Sequence, residues 1–128
     1  MILIVGGIAQ GKLEYVKRVL EVDETQISWD AEAACFTKVF AGCSDWVRRC
    51  LAERKDPDAE MNELLRQNPE VVLIFDEVGC GVVPIQPEER IWRECVGRMT
   101  CRIAKSAKRV ERILCGIPLV LKGEGQWK

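Results

Sequence analysis

Residues 2–5 read Ile-Leu-Ile-Val, apolar at every position, and stop at the pair Gly6-Gly7. A strand without polar alternation has two faces to bury, and a parallel sheet with helices on both sides provides that. Behind the glycines, Leu13, Val16, Val19 and Leu20 fall at helical spacing, which predicts a helix over about 12–22. A second such run, Val71-Val72-Leu73-Ile74-Phe75, is the clearest strand in the chain. Strands alternating with helices define an α/β fold with a mostly parallel sheet flanked by helices, reduced in size.

The rest of the chain fits around these elements. Residues 23–28 are polar and read as irregular. Residues 29–68 are helical in pattern and broken twice. At the first break, Ser44 is the expected N-cap of a helix carrying Trp46, Val47, Cys50 and Leu51. At the second, Asp56 caps and Pro57 opens a helix with Met61, Leu64 and Leu65 on its buried stripe. Asn68-Pro69 ends it. A glycine-containing loop over 76–84 leads to the longest helix, about 87–108, with Trp92, Val96, Met99 and Ile103 facing the sheet. A strand near 110–115 and a short Leu119-Val120-Leu121 segment follow, joined through Gly116-Ile117-Pro118. A chain of 128 residues has room for one core, so one domain over 1–122 with a loose tail over 123–128 is expected.

Gly6-Gly7-Ile8-Ala9-Gln10-Gly11-Lys12 fits the pattern G-x-x-x-x-G-K and lies between the first strand and the first helix. Glycines let such a loop wrap tightly enough to aim backbone N–H groups at phosphate oxygens. The lysine offsets charge on the outer phosphates, and the helix that starts there adds its positive end. All seven residues are therefore candidate phosphate-binding residues. A P-loop of this type carries Ser or Thr after the lysine, as a magnesium ligand. Here that position is Leu13, which has no oxygen to offer, so metal-assisted transfer should be weakened. Asp76-Glu77 ends the second apolar run, where a carboxylate can hold magnesium. Asp76 is the candidate metal residue, and Lys12, Asp76 and Glu77 are the candidate catalytic set. Asp30 is a weaker carboxylate candidate, expected to serve a helix N-terminus instead.

Charge and residue usage narrow the chemistry. Nineteen basic and twenty acidic residues leave a net charge of −1, which gives no field for nucleic acid or an anionic membrane. The basic stretch Lys105, Lys108, Arg109 and Arg112 reads as a solvated helix end. No stretch approaches the roughly 18 apolar residues of a membrane span, and residues 1–7 do not resemble an export signal. A cytoplasmic location is expected. Seven cysteines are scattered, with no C-x-x-C pair, so neither a zinc site nor a disulfide framework is expected. Most read as small buried hydrophobes, with Cys43 and Cys80 as the ones to test for reactivity. There is no histidine, so none can act as base, ligand or covalent carrier.

Two segments carry a resemblance. Phe75-Asp76-Glu77-Val78-Gly79-Cys80-Gly81-Val82-Val83-Pro84 resembles the N-E-V-G-x-G-x-V-P motif of the bifunctional adenosylcobinamide kinase/adenosylcobinamide-phosphate guanylyltransferase family, which acts late in cobalamin assembly. The likeness runs on through Arg90, Trp92, Arg93, Glu94, Gly97 and Ala104 to Gly116–Lys122, and Ile2–Lys12 resembles the family's I-L-V-T-G-G-x-x-S-G-K. The resemblance implies a RecA-like P-loop sheet, GTP or ATP as ligand, a cobinamide-like corrinoid as second substrate, and trimers formed through the sheet edge. Departures are Leu13, Asp76 in place of the motif's Asn, Thr100-Cys101 in place of the long helix's Asn-Gln, and a shortened middle. The family's guanylylated histidine falls in that middle, so the guanylyltransferase step is expected to be lost. Two functions follow from these residues: a reduced nucleotide-dependent kinase of a cobinamide-like alcohol, or a non-catalytic nucleotide- or phosphate-binding relic serving as sensor or assembly partner.

Overall fold

The computed structural model describes residues 1–78 and 86–125. The expectations for Cys80, for the 79–84 part of the motif and for the tail beyond Gly125 lie outside these residues.

Among the described residues six strands form one sheet, β1 (Ile2–Gly6), β2 (Ile27–Ser28), β3 (Val39–Phe40), β4 (Val72–Asp76), β5 (Arg109–Leu114) and β6 (Ile117–Lys122), in the order β2-β3-β4-β1-β5-β6. All neighbours are parallel except β5 and β6. The helices are α1 (Lys12–Leu20), α2 (Ala31–Ala34), α3 (Cys43–Ala52), α4 (Pro57–Gln67) and α5 (Pro87–Ser106). None of them is long and apolar enough to cross a membrane, among the described residues.

The unbroken apolar runs are explained by a core on each face of the sheet. Leu3, Leu73 and Phe75 point into one core with residues of α3, α4 and α5, among them Trp46, Val47, Met61, Leu64, Val96 and Met99. Ile2, Ile4, Val72 and Ile74 point into the other, against Tyr15 and Val16 of α1. Trp46 is buried and meets Phe40 edge-on, with ring centroids 5.4 Å apart, as its helical spacing indicates.

Several local expectations need correction. The segment 23–28 is not wholly irregular: it holds a short 3-10 turn, Glu24–Gln26, and then β2. Within 29–68, two residues of β3 interrupt the helical pattern, and α2 has only four residues. The N-cap of α3 is Gly42, at φ +66°, and not Ser44, whose hydroxyl is drawn instead to the backbone of β4. Asp56 does cap α4, its Oδ1 accepting from the N–H of Asp58 at 3.0 Å, with Pro57 opening the helix. Asp30 likewise caps α2, accepting from Ala33 N–H at 2.8 Å. The β5–β6 turn is Cys115-Gly116, both at positive φ, as a two-residue hairpin requires; Ile117 and Pro118 already belong to β6.

The basic stretch after α5 is also not a uniformly solvated end. Arg109 and Glu111 are buried, with Arg109 Nε 2.5 Å from Glu111 Oε2, and the Tyr15 hydroxyl donates to Glu111 Oε1 at 2.5 Å. A charged pair at those depths is held by mutual satisfaction, and Tyr15 ties it to α1.

Candidate functional site

Parallel register places Gly6 beside Asp76 at one end of the two central strands. Open α/β sheets bind ligands beyond that end. Gly6 has no space for a side chain, since a Cβ there would approach the Ile113 carbonyl oxygen to 2.6 Å. The loop then turns through Ala9 at φ +59° and Gly11 at φ +82°, and α1 begins at Lys12. Gln10 fastens the far side of the loop to the β5–β6 turn. Its side-chain oxygen accepts from Cys115 N–H at 2.6 Å, and its carbonyl accepts from Gly116 N–H at 2.8 Å.

Lys12 is buried, and its ammonium lies at the centre of the site. It donates to the Gly7 carbonyl at 2.6 Å and stands 2.7 Å from Asp76 Oδ1. An ammonium folded back onto its own loop and a strand-end carboxylate is positioned where phosphate oxygens could replace those partners. Asp76 is held from behind by Ser44. That hydroxyl accepts from Asp76 N–H and donates to Asp76 C=O, each at 3.0 Å. The Ser44 carbonyl in turn accepts from Trp92 Nε1 at 2.7 Å, and the Arg48 guanidinium stacks over the Trp92 ring at 3.9 Å.

Glu77 is placed differently from its neighbour. Arg112 grips its carboxylate with two nitrogens, at 2.7 and 3.1 Å, and Glu77 N–H donates to Gly6 C=O at 2.8 Å. Asp76 and Glu77 share a small pocket with Val78, Gly97 and Thr100 on the α5 side. Lys12 and Asp76, with residues 9–14 of the loop and α1, line a second cleft of about 270 Å³ on the α1 side. The structure therefore brings Gly6, Gly7, Gln10, Gly11, Lys12 and Asp76 together, while Glu77 serves an ion pair. Ile8 is exposed outside the cleft, and Ala9, also exposed, lines its rim.

The donor set does not fit a complete magnesium site. Leu13 lines the cleft with an apolar side chain, and the Asp76 carboxylate is engaged by Lys12. Among the described residues no three His, Cys, Asp or Glu side chains converge on a common metal position. Cys43, picked out for reactivity, is buried; its thiol donates to the Phe40 carbonyl at 3.2 Å, and burial pushes its pKa far above the usual thiol range. Cys101 and Cys115 are the exposed thiols among the described residues. Ser44, Arg112 and Gln10's tether to the hairpin were not readable as site features, because each depends on strand order rather than on spacing.

A central parallel strand that runs through a glycine loop into a lysine-headed helix defines a P-loop α/β protein. The family model described as cobinamide kinase / cobinamide phosphate guanyltransferase matches residues 38–121, well over half of the chain. The chain belongs to that family. The match begins after the phosphate loop, so the loop's assignment rests on its own residues and geometry. No curated protein matches the chain.

Proposed function

We propose that the chain binds the phosphates of GTP or ATP in the loop from Gly6 to Lys12, as a cobinamide kinase/guanylyltransferase-like protein without the histidine-dependent guanylyl transfer. The observation that carries this reading is the Lys12 ammonium, buried between the Gly7 carbonyl and Asp76 at the head of α1. The absence of histidine removes the covalent carrier. A nucleotide would displace the Lys12–Asp76 contact and take the ammonium onto its outer phosphates. The second ligand is a cobinamide-like corrinoid alcohol, by family membership.

Leu13 and the engaged Asp76 favour binding with little or no transfer, the behaviour of a sensor or assembly partner. The test is phosphoryl transfer from labelled GTP or ATP to cobinamide. Product above that of a Lys12→Ala control establishes a residual kinase; its absence leaves the binding role. Leu13→Thr restores a hydroxyl at the magnesium position, and we expect it to raise nucleotide affinity about tenfold in magnesium but not in EDTA, roughly one charge-assisted contact. An unchanged magnesium response in the substituted protein would mean that the site has been rebuilt around another arrangement.

Assembly through the sheet edge is part of the same proposal. All six residues of β6 are exposed, including Ile117, Leu119, Val120 and Leu121, an apolar edge that is costly to leave unpaired. Light scattering should give a multiple of the 14.5 kDa chain mass, with a trimer expected, and Leu119→Glu should shift it towards the monomer. A wild-type monomer at high concentration would remove this part of the reading.

A further inference from the structure

Across the cleft from Lys12 stands Trp29, directly after β2, with about half of its surface exposed (52%). Exposed tryptophan is unusual where packing alone decides the position, and this one is fixed from two sides. Its ring sits close against Gly42, where a Cβ would come within 2.8 Å of ring atom Cε3 and 3.2 Å of Cζ3. Its carbonyl accepts from Arg49 Nη2 at 2.6 Å, which ties the residue to α3. Gly42 is required twice over, by the ring and by its φ of +66°. The result is an aromatic wall that is both held and uncovered, while Trp46 in the adjoining helix is buried.

Its position in the sheet gives the wall a use. Lys12 and Asp76 mark where the outer phosphates would lie, and β3 and β2 lie beyond β4 on the side away from β5. Trp29 and Gly42, at the ends of β2 and β3, therefore border the cleft beyond the phosphates. At about 270 Å³ this cleft is near the low end of ligand pockets, with room for a ring rather than for a whole large ligand.

We propose that the Trp29 ring is the second wall of the phosphate cleft and stacks on a flat, conjugated ring of the bound ligand, belonging either to the nucleobase or to the acceptor. The proposal rests on the phosphate-binding reading above and assigns the recognition element beyond it. Stacking on an aromatic face tolerates different rings, because each has a π-face, and it depends on the flat side chain rather than on bulk.

The test is titration of wild type, Trp29→Phe and Trp29→Leu with GTP, with inorganic tripolyphosphate, and with cobinamide in the presence of tripolyphosphate. Leucine still covers Gly42 but has no π-face. Trp29→Leu should lose about tenfold in affinity for the ring-bearing ligand and nothing for tripolyphosphate, with Trp29→Phe keeping most of the wild-type affinity. A loss confined to GTP assigns the wall to the nucleobase, and a loss confined to cobinamide assigns it to the acceptor. Equal affinities of wild type and Trp29→Leu for all three probes overturn the proposal, as does an equal loss for all three, which would make the ring only a cover for Gly42. Failure of the wild type to bind tripolyphosphate or GTP would instead overturn the phosphate cradle, and the ring site with it.

Discussion

Lys12→Ala should lower the affinity for GTP and for ATP by roughly thirtyfold to a hundredfold and leave the fold intact. The ammonium is the only side-chain cation lining the α1-side cleft, among the described residues. A hydrogen bond from a charged donor is worth about 1.5–3 kcal/mol, and any further contact to the phosphates is offset by the partners Lys12 gives up, the Gly7 carbonyl and Asp76. Each 1.4 kcal/mol is a factor of ten in affinity. The stability cost should be much smaller. Asp76 keeps a third of its side-chain surface in water (33%), so the carboxylate left behind can be hydrated, and Ser44 still holds its backbone. We therefore expect the loss in calorimetric titration to be accompanied by a thermal midpoint close to wild type. A large fall in the midpoint would mean that Lys12 is chiefly a structural ion-pair partner.

Arg109→Ala should do the reverse, with a large effect on stability and little on nucleotide binding. Glu111 has no exposed surface and relies on Arg109 and on the Tyr15 hydroxyl. Removing one partner of a buried ion pair costs about 3–5 kcal/mol, because the other charge is left without compensation. That is a large share of the roughly 5–15 kcal/mol available to a domain of this kind. Replacing the whole cluster with apolar side chains of similar volume, as Arg109→Met, Glu111→Leu and Tyr15→Phe together, should recover most of the loss. Denaturant unfolding of the single and triple variants measures both numbers. A single variant within about 1 kcal/mol of wild type would show that Glu111 finds another partner or reaches water.

These two residues also show what the sequence could convey. The place of Lys12 at the head of α1 was readable because it is local: glycines, lysine and helix follow one another directly along the chain. The central strands were readable for a similar reason, since five apolar residues in a row leave a chain few options. Arg109 was not readable. Among Lys105, Lys108 and Arg112 it looks like one more surface charge; Glu111 lies two residues further along β5 on the same face, and only the fold brings Tyr15 of α1 onto the pair and buries it. The same limit applies to β2 and β3, where two residues each are too short to show a period and only the sheet makes them strands. Ser44 carries a good capping side chain, but the three-dimensional neighbour that wins it is Asp76, 32 residues away. The nearness of Lys12 to Asp76 likewise follows from strand order, which no spacing in the chain records.

The family match explains the scaffold but starts beyond the loop, so the central claim rests on Gly6 to Lys12 and must be tested there. The most direct measurement is calorimetric titration of GTP and ATP into wild type and Lys12→Ala, in magnesium and again in EDTA. Binding that requires Lys12 and changes little between magnesium and EDTA is the result predicted for a phosphate cradle that carries Leu13 where the metal hydroxyl would stand. Equal affinity in wild type and Lys12→Ala, or no binding of either nucleotide, would contradict it.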